Sequence, residues 1–304
     1  MRKEKEIRSN KIAVRESWVC WVILTILSIL CVAPFVMVIS ASFTAEATIV
    51  KEGYSLFIKD FSLDTYQFLL SNKSRLLVDA FKMTVITTFL GTICAVTVTT
   101  CFAWAVTQKK EDFFLARPLS FIAWFTTIFS GGVLPWYILC TQYYGLKNNV
   151  FALFIPSCFS VWHMFILRGN FRAVPVELIE SAKLDGASHA RIFVQIVIPL
   201  GRAGIVAVAM FNMLGFWNNF SLSLWLTNKM KYQTLQKLLY SMLSTTSFLM
   251  QNSEGAAGIS EHMVVPNETA IMAVAVIAIA PILMIYPFTL RYFVKGINLG
   301  GVKG

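Results

Sequence analysis

Charge is scarce in this sequence. Of 304 residues only 14% are Asp, Glu, Lys or Arg, and Asp and Glu together number 16, where an ordinary soluble domain carries about 25% charged residues. With 57% hydrophobic residues, a chain of this length is too apolar for a soluble globular protein. Histidine is rarer still. His163, His189 and His262 have no ligand spacing, so no metal site is expected. Cys20, Cys31, Cys94, Cys101, Cys140 and Cys158 form no Cys-x-x-Cys pair and read as small apolar core residues. Catalytic motifs are also missing. There is no Gly-x-x-x-x-Gly-Lys-Ser/Thr loop to cradle ATP phosphates, no Gly-x-Ser-x-Gly elbow and no His-Glu-x-x-His. The chain is therefore not expected to be an enzyme, and no catalytic residue is assigned. If ATP drives its work, another polypeptide must hydrolyse it.

What the sequence has instead is long apolar runs. Six of them, at 18–41, 78–106, 119–140, 150–167, 205–226 and 270–292, are near the length a helix needs to cross a bilayer. The second is rich in threonine and the fourth is short. The expected fold is all-α, a polytopic membrane protein with six transmembrane helices. Residues 1–17 read as a basic arm and 18–304 as a single membrane domain. The first run is much longer than a signal-peptide core, and Ala41-Ser42-Phe43 is a poor cleavage site, so it reads as an uncleaved span.

Lysine and arginine set the orientation. Arg2, Lys3, Lys5, Arg8, Lys11 and Arg15 precede the first run, and Lys109, Lys110 and Arg117 follow the second. Arg168, Arg172, Lys183, Arg191 and Arg202 follow the fourth, and Arg291, Lys295 and Lys303 end the chain. An even number of spans puts all of these on one side, which the positive-inside rule makes cytoplasmic, with both termini there. The formal charge of +10 is thus topological in origin, and nucleic acid is not an expected partner.

Carboxylates are nearly absent from the span interiors, whereas ion-driven carriers need ionisable groups at membrane depth. His163 is the exception, and an interhelical hydrogen bond explains it as well as a proton relay does. The polar content is neutral: Thr84, Thr87, Thr88, Asn212, Asn218, Asn219, Ser221 and Ser223. Phe216, Trp217 and Phe220 beside amides offer apolar ring faces for sugar C–H surfaces and amides for hydroxyls. Two readings stand for Phe216, Trp217, Asn218, Asn219 and His163: a path for a polar, uncharged solute, or helix-to-helix packing. Two outer loops, 43–77 and 226–267, are long enough to expect a function. The first reads as ordered, and the second as having a mobile tip at 253–258.

The most informative stretch is 180–200. Val176, Leu178, Ile179 and Ala182 recur at helical spacing, while Glu177, Glu180, Ser181 and Lys183 fall mostly on the other face. Pro175 suits a first helical position, Asp185-Gly186 is a stop signal, and Ser188 is placed to cap a second short helix. Ile192, Phe193 and Ile196 form that helix's apolar face, and Pro199 is expected to break it. An amphipathic hairpin of this kind suits a groove on a soluble partner. The alternative is a helix lying on the lipid surface.

The same stretch resembles a family signature. Permease subunits of bacterial ABC importers carry Glu-Ala-Ala, three residues, Gly, nine residues and Ile-x-Leu-Pro. Glu180, Ala182, Gly186, Ile196 and Pro199 occupy those places, with Ser181 for the first alanine and Ile198 for the leucine. The segments Phe129-Ser130-Gly131-Gly132-Val133-Leu134-Pro135-Trp136-Tyr137 and Trp217-Asn218-Asn219-Phe220 are similar to motifs of carbohydrate-importer permeases, as is the ending Gly301-Val302-Lys303-Gly304. The chain most resembles the six-span permease of oligosaccharide importers. The resemblance implies that the loop at about 170–200 is a coupling hairpin between the fourth and fifth spans. It implies that Glu180, Ser181, Ala182, Asp185, Gly186, Ala187, Ile196 and Pro199 serve ATPase coupling. It also implies a second permease, an ATPase dimer holding ATP and Mg, an extracellular solute-binding (lipo)protein and a sugar substrate, in a bacterial cell membrane. An ABC permease for another solute, or a self-contained secondary carrier, remains the alternative.

Overall fold

The computed structural model describes residues 2–70, 75–251 and 268–300, with side chains at 18–70, 75–247 and 268–287. The first helices are α1 (Arg2–Ser42), α2 (Glu46–Glu52), α3 (Asp64–Leu70), α4 (Arg75–Ala105), α5 (Ala116–Ile128) and α6 (Val133–Ile138). Next come α7 (Val161–Arg172), α8 (Val176–Leu184), α9 (His189–Ile192) and α10 (Ile198–Leu200). The last are α11 (Arg202–Trp217), α12 (Ser221–Leu226), α13 (Leu235–Gln251) and α14 (Glu268–Gly300). The all-α expectation holds: among the described residues the only strand-like feature is a lone bridge between Thr44 and Phe61. The expected mobile tip at 253–258 and the ending 301–304 lie outside the described residues, as do the side chains of the basic arm.

Trp18–Ser42, Arg75–Ala105 and Glu268–Pro287 are each long and apolar enough to cross a membrane. Three bent pairs meet the same requirement of length and apolarity, for up to six candidate spans: Ala116–Ile128 with Val133–Tyr143 at 120°, Val150–Ser157 with Val161–Arg172 at 54°, and His189–Leu200 with Arg202–Trp217 at 79°. Three of the expected runs were read as unbroken, and each is broken. The run 119–140 turns at Gly132, whose φ of +87° suits only glycine well. In 150–167 the first part is two 3₁₀ turns, the second carrying Pro156, before α7 begins. The run 205–226 ends as a helix at Trp217 and resumes as α12.

The chain divides into two compact units, Met1–Lys73 with Met242–Ile277 and Ser74–Ser241 with Ala278–Gly304. In the second unit α4 is the central helix, with α7 and α11 packed along it. Its 31 residues make a rod about 46 Å long at 1.5 Å per residue. Threonine is a weak helix former, and three of those in α4, Thr84, Thr87 and Thr97, turn their hydroxyls onto carbonyls of the preceding turn. Thr84 Oγ1 donates to Ala80 O at 2.9 Å and Thr97 Oγ1 to Ile93 O at 2.8 Å. Leu77, Ala80, Thr84, Thr88, Gly91, Ala95, Thr99 and Ala103 are buried at helical spacing, so one face of small residues runs the length of α4 and lets its neighbours approach closely.

In the first unit the loop after α1 is ordered, as expected. Phe43 stacks on Tyr66 with ring centroids 4.9 Å apart. The Glu46 carboxylate accepts from Glu268 N at 3.1 Å, Thr269 N at 2.9 Å and Thr269 Oγ1 at 2.7 Å, an anion on the N-terminus of α14. Tyr54 donates its hydroxyl to Glu268 Oε2 at 2.8 Å. Burial first, and the Glu268 carboxylate next, push that hydroxyl's pKa up to about 12, so it stays a donor at physiological pH.

Candidate functional site

The stretch around Gly186 forms the expected hairpin. Gly186 N donates to Lys183 O at 3.0 Å and Ala187 N to Ala182 O at 2.9 Å, which together make a Schellman C-cap for α8. Gly186 stands at φ +76°. Ser188 Oγ accepts from Arg191 N at 3.3 Å and caps α9, as its position suggested. Two details differ. Pro175, expected at the first helical position, sits at the N-cap of α8, and Val176 is the first helical residue. Pro199 does not break the helix: a π-helical turn over Phe193–Val197 absorbs its missing donor, and the 79° bend falls at Gly201. A Cβ on Gly201 would lie 2.7 Å from Phe171 and 2.9 Å from Val197 O, which is why the corner needs glycine.

The hairpin is anchored at its root. Ile192 and Val197 are fully buried in a cluster with Ala103, Val106, Met164, Leu167, Phe171 and Val208. Ile179, Ala182, Ala187, Phe193 and Ile196 pack on it from outside. Phe193 stacks on Trp104 at 5.8 Å and meets Phe171 edge-on at 6.5 Å. The other face is open: Glu180, Ser181, Asp185 and Gly186 are exposed, and Pro199, at the root end, is exposed as well. Leu184, at the tip, is 89% exposed. Sequence periodicity passed over Leu184 because it falls out of phase with the apolar face of α8.

A second omission is the turn after α4. Lys109 Nζ lies 3.3 Å from Glu180 Oε1, and Lys183 Nζ donates to both oxygens of Asp112 at 2.7 Å. Hydrogen bonding by Lys183 holds the Asp112 carboxyl below the usual carboxylate range, with smaller help from the charges of Lys183, His189 and Lys109. No local sequence signal marks these pairs, because their partners stand 71 residues apart.

The interior residues fall into two places. Phe216 is buried, its ring 3.0 Å from where a Cβ on Gly91 would stand. Trp217 is buried too, donates Nε1–H to Ala278 O at 2.9 Å and meets Phe81 edge-on at 5.9 Å. Asn218 is exposed and donates Nδ2–H to Leu214 O at 3.0 Å, while Asn219 Oδ1 accepts from Leu222 N at 3.0 Å and opens α12. The Trp217–Phe220 motif is therefore where the fifth span loses its helix. His163 stands apart. It stacks on Phe211 at 5.9 Å, about 10 Å along α11 before Asn218. Beyond the break, Lys237 donates Nζ–H to Ser223 O at 3.0 Å and Thr227 O at 2.6 Å, a cation on the C-terminus of α12. Burial lowers the pKa of that lysine.

Among the described residues no group of His, Cys, Asp or Glu is arranged to hold a metal. The free cysteines carry no pairing. The site is a root-anchored hairpin at one end of a helix bundle, and comparison with known proteins says what such a chain is. Residues 12–299 match the family described as binding-protein-dependent transport system inner membrane component. The chain belongs to that family. It is 31% identical over 282 residues to the polygalacturonan/rhamnogalacturonan transport system permease protein YtcP of Bacillus subtilis, covering 92% of this chain and 96% of that one. It is likewise 31% identical over 273 residues to protein LplC of the same organism, covering 90% of each. The diacetylchitobiose uptake system permease protein DasC of Streptomyces coelicolor is 26% identical over 281 residues, covering 90% of this chain and 92% of that one. The fold matches the crystal structure of a bacterial ABC transporter involved in the import of the acidic polysaccharide alginate, with a TM-score of 0.77, 22% identity and coverage of 91% and 96%. The chain is thus a membrane-embedded permease of the ABC importer type, and the Glu-Ala-Ala motif at Glu180 is the one such permeases carry.

Proposed function

We propose that this permease carries an oligosaccharide across the cell membrane, driven by ATP that a separate subunit binds with Mg and hydrolyses. The observation that carries this reading is the α8–α9 hairpin: buried at its root, exposed along Glu180, Ser181 and Asp185, and turned at Gly186. Such a shape receives force from a soluble partner and delivers it to the bundle. The hairpin side is the cytoplasmic one, with both termini, because the basic residues after the second and fourth runs gather there.

In the proposed cycle, closure of the ATPase pair moves the hairpin, and the bundle rocks between inward-open and outward-open states around a second permease. Glu180, Ser181 and Asp185 face the ATPase groove, Gly186 makes the turn, Ala182 and Ala187 allow close packing, and Ile196 and Pro199 belong to the root. The solute path runs by the break after Trp217. Non-helical backbone at membrane depth is tolerated where it is buried in protein or lines a water-filled cavity, and interrupted spans are where transporters place binding sites. Asn218 and Asn219 stand at that break, Phe216 and Trp217 support it from the buried side, and His163, on α7, lies farther off against Phe211 of α11. The loop 43–70, which exposes Val50, Phe57 and Phe61, docks the extracellular binding protein. Residues 18–304 act as one permease domain.

An ion-driven carrier is the weaker reading. Among the described residues the fully buried polar side chains are Ser, Thr and Asn, with no carboxylate to take up an ion. The test is a mild-detergent pull-down of the tagged chain from its native membrane, read by mass spectrometry. A second permease, an ATPase and a solute-binding protein should come with it. The recovered binding protein is then screened against neutral and acidic oligosaccharides. Recovery of the chain alone, from a preparation that still transports, overturns the proposal.

A further inference from the structure

We propose that Lys109 and Asp112 are positioning residues that clasp α8, so that the hairpin and α4 move as one body during transport. This rests on the reading of the hairpin as the ATPase contact and names the path by which its motion enters the bundle.

The turn after α4 is wound tightly, with Asp112 N donating to Lys109 O at 3.1 Å and Phe113 N to the same oxygen at 3.0 Å. Lys109 and Asp112 therefore stand at the two ends of one tight turn. On α8, Glu180 and Lys183 are three apart and share a face. The two faces meet with opposite polarity at each level, Lys109 on Glu180 and Asp112 on Lys183. Sliding α8 by one turn would put Lys183 against Lys109 or Glu180 against Asp112, so the charges admit a single register. Two of the three ion pairs among the described residues belong to this contact.

The clasp matters because α8 lacks what holds the other arm. The α9–α10 arm is fixed by the buried Ile192 and Val197. Helix α8 has no fully buried residue, and only Ile179, Ala182 and Lys183 are half-buried. Without Lys109 and Asp112 this arm would rock about the Gly186 turn, and a push on Glu180 would be spent there. With them, the push reaches the end of α4, whose other face packs α7 and α11 through the bundle.

The experiment uses the whole importer in proteoliposomes and reads solute uptake per ATP hydrolysed. The variants are Asp112→Lys, Lys183→Asp, the double swap, and the milder Asp112→Asn. Each single charge reversal should keep the ATPase bound and hydrolysing while the ratio falls about two- to fivefold, the scale of a partly exposed ion pair. The swap should restore the ratio, and Asp112→Asn should lower it even where Asp112→Lys fails to assemble. Single variants with the wild-type ratio, or a swap no better than the singles, would overturn the clasp while leaving the importer reading intact. A wild-type chain that brings no ATPase out of the membrane overturns that reading, and the clasp with it.

Discussion

Gly186 stands at φ +76° in open space, with nothing within 4 Å of where a Cβ would be. A side chain there meets no clash, so the whole penalty is backbone strain, about 1–2 kcal/mol for an ordinary L residue and less for asparagine. Gly186→Leu should therefore weaken retention of the ATPase about five- to thirtyfold in a pull-down while the chain still inserts and folds, and Gly186→Asn should retain most of it. Equal loss in both variants would mean that a side chain at the tip, not the turn, matters. This residue was legible in the sequence, because Asp-Gly after an amphipathic run is a local stop signal. Asp112 was not. Its partner Lys183 is brought to it only by the packing of α4 beside the hairpin, and no local spacing encodes that meeting. Trp217 lies between: its burial was foreseeable, but the acceptor of its Nε1–H, the carbonyl of Ala278, belongs to another helix.

At the scale of elements, hydropathy located the six apolar runs within a few residues but missed their breaks. Hydropathy counts apolar residues and is blind to backbone direction, so the breaks at Gly132, just before Val161 and at Asn218 sit unseen inside apolar sequence. The Pro199 expectation failed for a related reason, since the π-turn at Phe193–Val197 takes up the missing donor and moves the corner to Gly201. Helix approach is set just beyond that corner. A Cβ on Gly204 would stand 2.6 Å from Asn170 Cγ and 2.8 Å from its Oδ1. Gly204→Val must displace the Asn170 side chain from between α7 and α11, and overpacking of this kind costs about 1–3 kcal/mol. Its melting temperature in detergent should fall by several degrees, about 2–4 °C for each kcal/mol in a chain of this size. Gly215→Ala, where nothing lies within 4 Å of the added carbon, should leave it unchanged. A silent Gly204→Val would show that the two helices have slack there.

Over the whole molecule, the account joins two sites on one bundle. The second unit holds the anchored hairpin at one end of α4 and, on the neighbouring α11, the helix break at Asn218 and Asn219. The long α4 packs along α7 and α11, and in the proposed cycle a push on the hairpin is passed by way of α4 to the helices that flank the break. The buried polar side chains among the described residues are Ser, Thr and Asn. The most direct measurement is uptake of a labelled oligosaccharide into proteoliposomes that hold this chain with its partner permease, ATPase and binding protein. The account predicts uptake that requires Mg-ATP on the ATPase side and the binding protein on the other, and that persists when ion gradients are collapsed. Uptake by this chain alone, driven by an ion gradient and indifferent to ATP, would contradict it.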